Sequence, residues 1–188
     1  MAYHKTLVTS SSLFDSELGH HLNILMKLTE LLTEEVVTVN HVVYDNVNGI
    51  GATGYNANID YRGVKVLMKP SIFLHLAMHI SEDQFTSAKG LEALIKEGKP
   101  IAPPYLELDL KDGENGQPTG IGAKVGGHEG RNRAYAIKKL YGDEPMLTHL
   151  FFLGLRARHI TPEILFQLNK QLVNQNNQKV QGPFFEIL

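Results

Sequence analysis

Between Lys124 and Leu140 the chain gathers Gly126, Gly127, His128, Glu129, Gly130, Arg131 and Arg133 into one short stretch. Those residue types at that spacing suit the capture of an anion. A strand-like run, Thr119 to Val125, leads in. A helical pattern leads out, with Ala134, Ile137 and Leu140 at three-residue steps marking its buried side. Gly126 and Gly127 are expected to make the turn, since glycine adopts positive φ without steric cost. The first amides of the following helix lack intrahelical partners and point outward with the positive end of the dipole, which favours phosphate or carboxylate. Arg131 and Arg133 add planar cationic forks that match such groups. His128 suits proton transfer, because its unperturbed pKa lies near neutrality. For Glu129 two readings stand: a metal ligand or general base beside the bound phosphate, or a first-turn carboxylate paired with Arg133 four residues on.

The segment Glu129 to Ala134 resembles the glycine/glutamate/arginine box of the ParB/sulfiredoxin superfamily, which reads G-E-R-R-x-R-A at a helix start and touches nucleotide phosphates. Glu129, Arg131, Arg133 and Ala134 match, while His128 replaces the first glycine and Gly130 one arginine. Gly126-Gly127 resembles the opening of the related sulfiredoxin turn, but with no cysteine in the chain the peroxiredoxin-repair chemistry of sulfiredoxins is excluded. The stretch Pro145 to Phe151, with His149-Leu150-Phe151, is similar to the P-x-x-x-H-L-F that follows the box in ParB-like domains of phage and plasmid reading frames. The resemblance covers a core at about residues 100–155. It implies a ParB/sulfiredoxin-like fold, within which Glu129 and, from its own chemistry, His128 are the candidate catalytic groups. Gly126, Gly127, Arg131 and Arg133 would hold phosphate, and no dedicated protein metal site is implied. The ligands it implies are magnesium with a nucleoside triphosphate, or DNA phosphate, and its activities are nucleotide hydrolysis, phosphoryl transfer and DNA cleavage. The altered box supports a rival of another class, a non-enzymatic interaction or virion protein that retains the fold.

The elements that must position these residues follow from periodicity. Strands are expected at Tyr3 to Thr9, Val36 to Tyr44, Tyr105 to Leu110, Met146 to Leu153 and Phe184 to Leu188, and a hairpin over Ile59 to Met68 with Tyr61-Arg62-Gly63 at or near its turn. Helices are expected from Asp15 or Ser16 to about Glu35, over Ile72 to Met78, from the capping box at Ser81 to about Glu97, and from Thr161-Pro162 to about Val173. Asp45 to Asn58 reads as a surface loop, and Asn174 to Lys179 as a loose polar stretch. Glu107 and Asp109 share a strand face and either reach the site or face solvent. His149 either approaches the site from a neighbouring strand or packs in the core. Together these make a single α+β domain, 1–188, with a mixed β-sheet and flanking helices.

The chain of 188 residues is 43% hydrophobic and 20% charged, which suits one globular domain with a real core. Its formal net charge of −2 gives no global attraction to DNA, so contact would come from the local set Lys124, Arg131, Arg133, Lys138 and Lys139. No apolar run reaches the length of a membrane span and no secretory signal is visible, which with the lack of cysteine points to a cytoplasmic protein. Gly49 to Gly54 imitates G-x-G-x-x-G, but no helix is expected after it, so a dinucleotide site is rejected. The adjacent His20 and His21 would point to different helix faces, a poor metal pair. There is no G-x-S-x-G elbow, Walker A loop or H-E-x-x-H.

Overall fold

The computed structural model describes residues 36–45, 62–77, 88–113, 116–152 and 160–188. Several expectations fall outside them: the strand at 3–9, the helix at 15–35, the glycine-rich loop at 46–58, the cap at Ser81 and the basic connection at 156–159. Described elements, in chain order, are β1 (Val37–Val39), β2 (Val42–Tyr44), β3 (Arg62–Met68), α1 (Pro70–Leu76), α2 (Ala88–Lys96), β4 (Tyr105–Asp112), β5 (Pro118–Glu129), α3 (Arg131–Tyr141), β6 (Met146–Phe152), α4 (Pro162–Lys170), β7 (Gln171–Val173), β8 (Lys179–Gln181) and β9 (Phe185–Ile187). This is an α+β unit whose main sheet is mixed.

The sheet has seven strands in the order β8-β7-β5-β4-β6-β3-β9. Its middle strand is β4, and beside it lies β6, every residue of which is buried. An unbroken apolar run such as Met-Leu-Thr-His-Leu-Phe-Phe belongs in a strand covered on both faces. Each of its large apolar side chains gains about 1.5–3 kcal/mol from burial, so few other places in the fold would hold it. β6 runs parallel to β4 and antiparallel to β3, while β4 and β5 pair antiparallel. Leu106, Leu108, Val125, Leu150 and Phe152 join Ala134 and Ile137 of α3 in one buried cluster. α3 packs on α1 and α2, and α4 packs on β5. Among the described residues no helix is long and apolar enough to cross a membrane.

Four expectations are corrected. The strand at Val36 to Tyr44 is a hairpin, because Asn40 (φ 43°) and His41 (φ 71°) both take the left-handed conformation of a two-residue turn. That turn is pinned from outside: Asn40 Nδ2 donates to the Pro145 carbonyl at 2.7 Å, and the His41 ring lies 5.4 Å from Tyr141. Arg62 and Gly63 are not at a turn but in β3, opposite Phe152 and Phe151. The helix begun by Thr161, which accepts from the Ile164 amide at 3.3 Å, stops at Lys170, and Gln171 to Val173 pairs as β7. The polar stretch at 174–179 is ordered by Asn174, whose Oδ1 accepts from the Gln178 amide at 3.0 Å.

Asn169 has a similar duty at the other end of the sheet. Its Oδ1 accepts from the amides of Phe184 (2.6 Å) and Phe185 (3.0 Å), and its Nδ2 donates to the Phe185 carbonyl (2.8 Å). Those bonds hold Phe184 and Phe185 in the core beside β3. Asn169→Ala strips all three partners, so it should destabilise the fold by about 2–3 kcal/mol in urea unfolding. Asn169→Asp, which keeps the two accepting contacts, should cost less.

Candidate functional site

The strand before the box is longer than its sequence suggests. Pairing of β4 with β5 runs on through Glu107↔Gly127, Leu106↔His128 and Tyr105↔Glu129. Gly126 and Gly127 are therefore inside β5 and not at the turn, and Glu129 is the last residue of the strand and not in the first helical turn. Each further pair satisfies backbone groups that a turn would leave bare. Gly126 is the extra residue of a β-bulge, since the register steps from Glu107↔Gly127 to Leu108↔Val125. Gly127 has a steric duty: a Cβ there would overlap the Glu107 carboxylate, which lies against the strand at this point. Of the two carboxylates sharing that face of β4, Glu107 is half-buried and reaches the box, while Asp109 is exposed.

The reversal from β5 into α3 falls to Gly130 alone. It is the N-cap, at φ 97°, and supplies no side-chain cap. A Cβ there would lie 2.8 Å from Pro104 Cα and 2.9 Å from Arg133 Nε. Only glycine suits both the conformation and the space. α3 has no acidic residue in its first turn, so nothing on the helix itself offsets its positive end.

The two arginines part company. Arg133 folds back: its side chain is 16% exposed and its Nη2 lies 3.4 Å from Glu129 Oε1. Burial lowers its pKa, opposed by the charges of Glu129, Tyr105 and Asp45, which places all three near the guanidinium. The Glu129 side chain is 58% exposed, so this i, i+4 pair adds only a few tenths of a kcal/mol and chiefly fixes orientation. Arg131, half-buried at the first helical position, is the arginine nearest the helix end. Lys124 is half-buried in β5, Lys138 is exposed, and Lys139 is taken up by Glu92 at 2.8 Å.

His128 is half-buried, and its Nδ1 is buried with no hydrogen-bond partner. Burial is the main cause holding its pKa below the ordinary value, helped by Arg131 and opposed by Glu129, a hydrogen bond to Gln175 and Glu107. The imidazole is thus neutral at pH 7 and able to accept a proton. His149 is packed, 7% exposed, with Nε2 buried and unpartnered. Burial, then the charge of Lys65, pushes its pKa down to about 4. Among the described residues no group of three histidine, aspartate or glutamate side chains is placed to hold a metal ion. The cleft of about 310 Å³ beside α4, lined by Thr119, Gly120, Glu163 and Gln167 among others, has no cationic side chain in its wall.

Tyr105, Pro104, Asp45 and Gln175 were not foreseen as neighbours of the box. Tyr105 alone had a signal, the alternation of β4, which sets it on the same face as Glu107. No family model, curated protein or solved structure matches the chain.

Two outcomes test this geometry. Gly130→Ala should lower stability by about 2 kcal/mol or more in urea unfolding, because a side chain must enter both a left-handed conformation and occupied space. Acid should also weaken the fold through His149. Its folded-state pKa is depressed from 6.5 to about 4, so the unfolded chain binds more protons between those values. The stability is therefore complete above pH 6.5 and is lost as pH falls toward 4. The loss due to this residue should be on the order of 1–2 kcal/mol at pH 5, after allowance for partial solvent access of the ring. His149→Phe should flatten the dependence of melting temperature on pH across that window.

Proposed function

We propose that the β5–α3 junction binds the phosphate of a nucleotide or of nucleic acid, as the resemblance of the box to ParB-like domains implies. One observation carries the reading: a helix N-terminus reached through Gly130, without side-chain cap or first-turn acid, with Arg131 at its first position. The amides and the dipole attract an anion there, and Arg131 adds a charged fork. Arg133 acts beneath the site, holding Glu129. Gly126 and Gly127 serve the bulge and the seat of Glu107 rather than the cradle. If the site turns over, His128, neutral and beside Glu129 and Glu107, is the proton acceptor for hydrolysis, phosphoryl transfer or strand cleavage. Any magnesium would arrive with the triphosphate, since Glu129 alone offers too few oxygens for a resident ion.

A second reading, a non-enzymatic interaction or virion protein, is favoured by one contact. Arg133 at 3.4 Å already balances Glu129, so the carboxylate needs no metal.

Titration calorimetry with nucleoside triphosphates, with magnesium and with a chelator, tests both. Arg131→Ala should weaken binding by about 1.5–3 kcal/mol, the worth of a charged hydrogen bond, and leave the melting temperature of the free protein nearly unchanged. Equal affinity in the variant, or a large loss of its stability, contradicts the phosphate reading. Binding that persists in chelator without turnover supports the non-enzymatic one.

A further inference from the structure

A second concave surface lies at the opposite end of β5 from the box. There the start of the strand passes the first turns of α4, and a cleft of about 310 Å³ opens between them. That volume is near the lower end of ordinary small-molecule sites, about 300–1,000 Å³. Gly120 brings the two elements together. It is buried, and a Cβ there would stand 2.5 Å from the Ile164 carbonyl oxygen and 3.0 Å from Gln167 Cβ. Strand and helix therefore meet at Gly120 with no side chain between them. Gln117, Pro118 and Thr119 on the strand side, and Thr161, Glu163 and Gln167 on the helix side, line the cleft beside that contact.

The charge of this cleft is opposite to that of the β5–α3 junction. At the start of α4 the Thr161 hydroxyl accepts from the Ile164 amide, Pro162 has no N–H, and Glu163 sets a carboxylate in the first turn. An anion gains nothing there. Among the described residues of the wall, Glu163 alone carries a charge. Gln167 donates to its Oε1, which fixes the carboxylate, and a carboxylate has about four acceptor sites in all. The hydroxyls of Thr119 and Thr161 each accept one backbone amide and keep a second lone pair. Pro118 and Ile164 supply apolar surface, and no aromatic ring is present among these residues. Strand pairing sets a second carboxylate beside the wall, since the exposed Asp112 is opposite Pro118. Lys111 is opposite Thr119, but its Cγ lies 3.9 Å from where a Cβ of Gly122 would stand, farther along the strand.

We propose that this cleft binds the ammonium end of a small aliphatic amine, with a free diamine or polyamine as the preferred class. An ammonium has three donors and no acceptor, so it matches a wall whose oxygens belong to a carboxylate and two hydroxyls. Glu163 takes the charge, and the methylene chain packs on Pro118 and Ile164. Asp112 meets the second ammonium. An amino acid or a phosphate ester is disfavoured, because its anionic group finds no cation in the wall. A lone metal ion gains too few oxygens from one carboxylate. This site is separate from the phosphate site and does not depend on it.

Calorimetry on the full chain with putrescine, butylamine and 1,4-butanediol tests the assignment. Putrescine should bind at least tenfold more tightly than the diol, which has the same carbon chain without the charge. Glu163→Gln, nearly identical in shape, should weaken putrescine and butylamine about tenfold or more, the worth of one charged hydrogen bond. Asp112→Asn should weaken putrescine and leave butylamine unchanged. Glu186→Gln, which removes an exposed carboxylate on the far edge of the sheet, should change neither. Equal losses in Glu163→Gln and Glu186→Gln would mark general charge attraction and overturn the site. Diol binding as tight as putrescine overturns the amine class. Nα-acetyl-lysine amide binding as tightly as putrescine overturns the free ligand in favour of a lysine on a partner protein. Should a variant fail to fold, NMR of the wild-type protein gives the answer. The backbone amide resonances of Thr119 and Ile164 should move on adding putrescine; no movement overturns the proposal.

Discussion

Gly130 has to reverse the chain between a strand and a helix within a single left-handed residue, under the backbone of Pro104. The antiparallel pairing of β4 with β5 imposes this, because it continues through Tyr105↔Glu129 and leaves no other residue for the turn. The consequences run outward. Glu129 is fixed at the strand end and Arg131 at the helix start. Arg133, one helical turn beyond Glu129, is folded back beneath both. α3 therefore starts directly at the end of β5. A longer turn made by Gly126 and Gly127 would have freed Glu129 from the sheet and broken its alignment with Tyr105.

Much of this architecture was legible because periodicity reports burial directly. The apolar run at 146–152 and the alternation of Leu106, Leu108 and Leu110 each correspond to a strand with nearly the expected bounds, and the proline after Thr161 marks the start of α4. The box helix was also legible, from Ala134 and Ile137. The turn was misread because glycine signals permission, not position. Gly126 and Gly127 serve a bulge and the space occupied by Glu107, and neither demand is visible without knowing which strand lies alongside. For the same reason Val36 to Tyr44 looked like one strand. Asn40 and His41 turn the chain there with help from Pro145 and Tyr141, a hundred residues away in the chain. Cross-strand register, which sets Tyr105 between Glu129 and His149, is tertiary information and leaves little local trace.

Two imidazoles with a buried, unpartnered nitrogen are close to the box in the fold or in the sheet register: His128 within β5 and His149 two strands away. Burial is the larger cause of both lowered pKa values, so both rings are neutral at pH 7. Unsatisfied groups of this kind each subtract on the order of 1–3 kcal/mol from stability. An apolar side chain of similar shape would pack in either place without that loss. On the proposed reading, a ligand that partnered the His128 nitrogen would restore that stability.

Charge bears on which phosphate ligand the site suits. The chain has a net charge of −2, Lys139 is occupied by Glu92, and Arg133 by Glu129. Two of the five cations of the basic stretch are thus already paired with carboxylates. Duplex affinity grows with the number of phosphates neutralised and falls steeply with salt when that number is small. A nucleotide asks less of the long-range field, because amides, a helix end and one guanidinium suffice for its phosphates. On the proposed reading, therefore, local geometry favours a free nucleotide over duplex DNA.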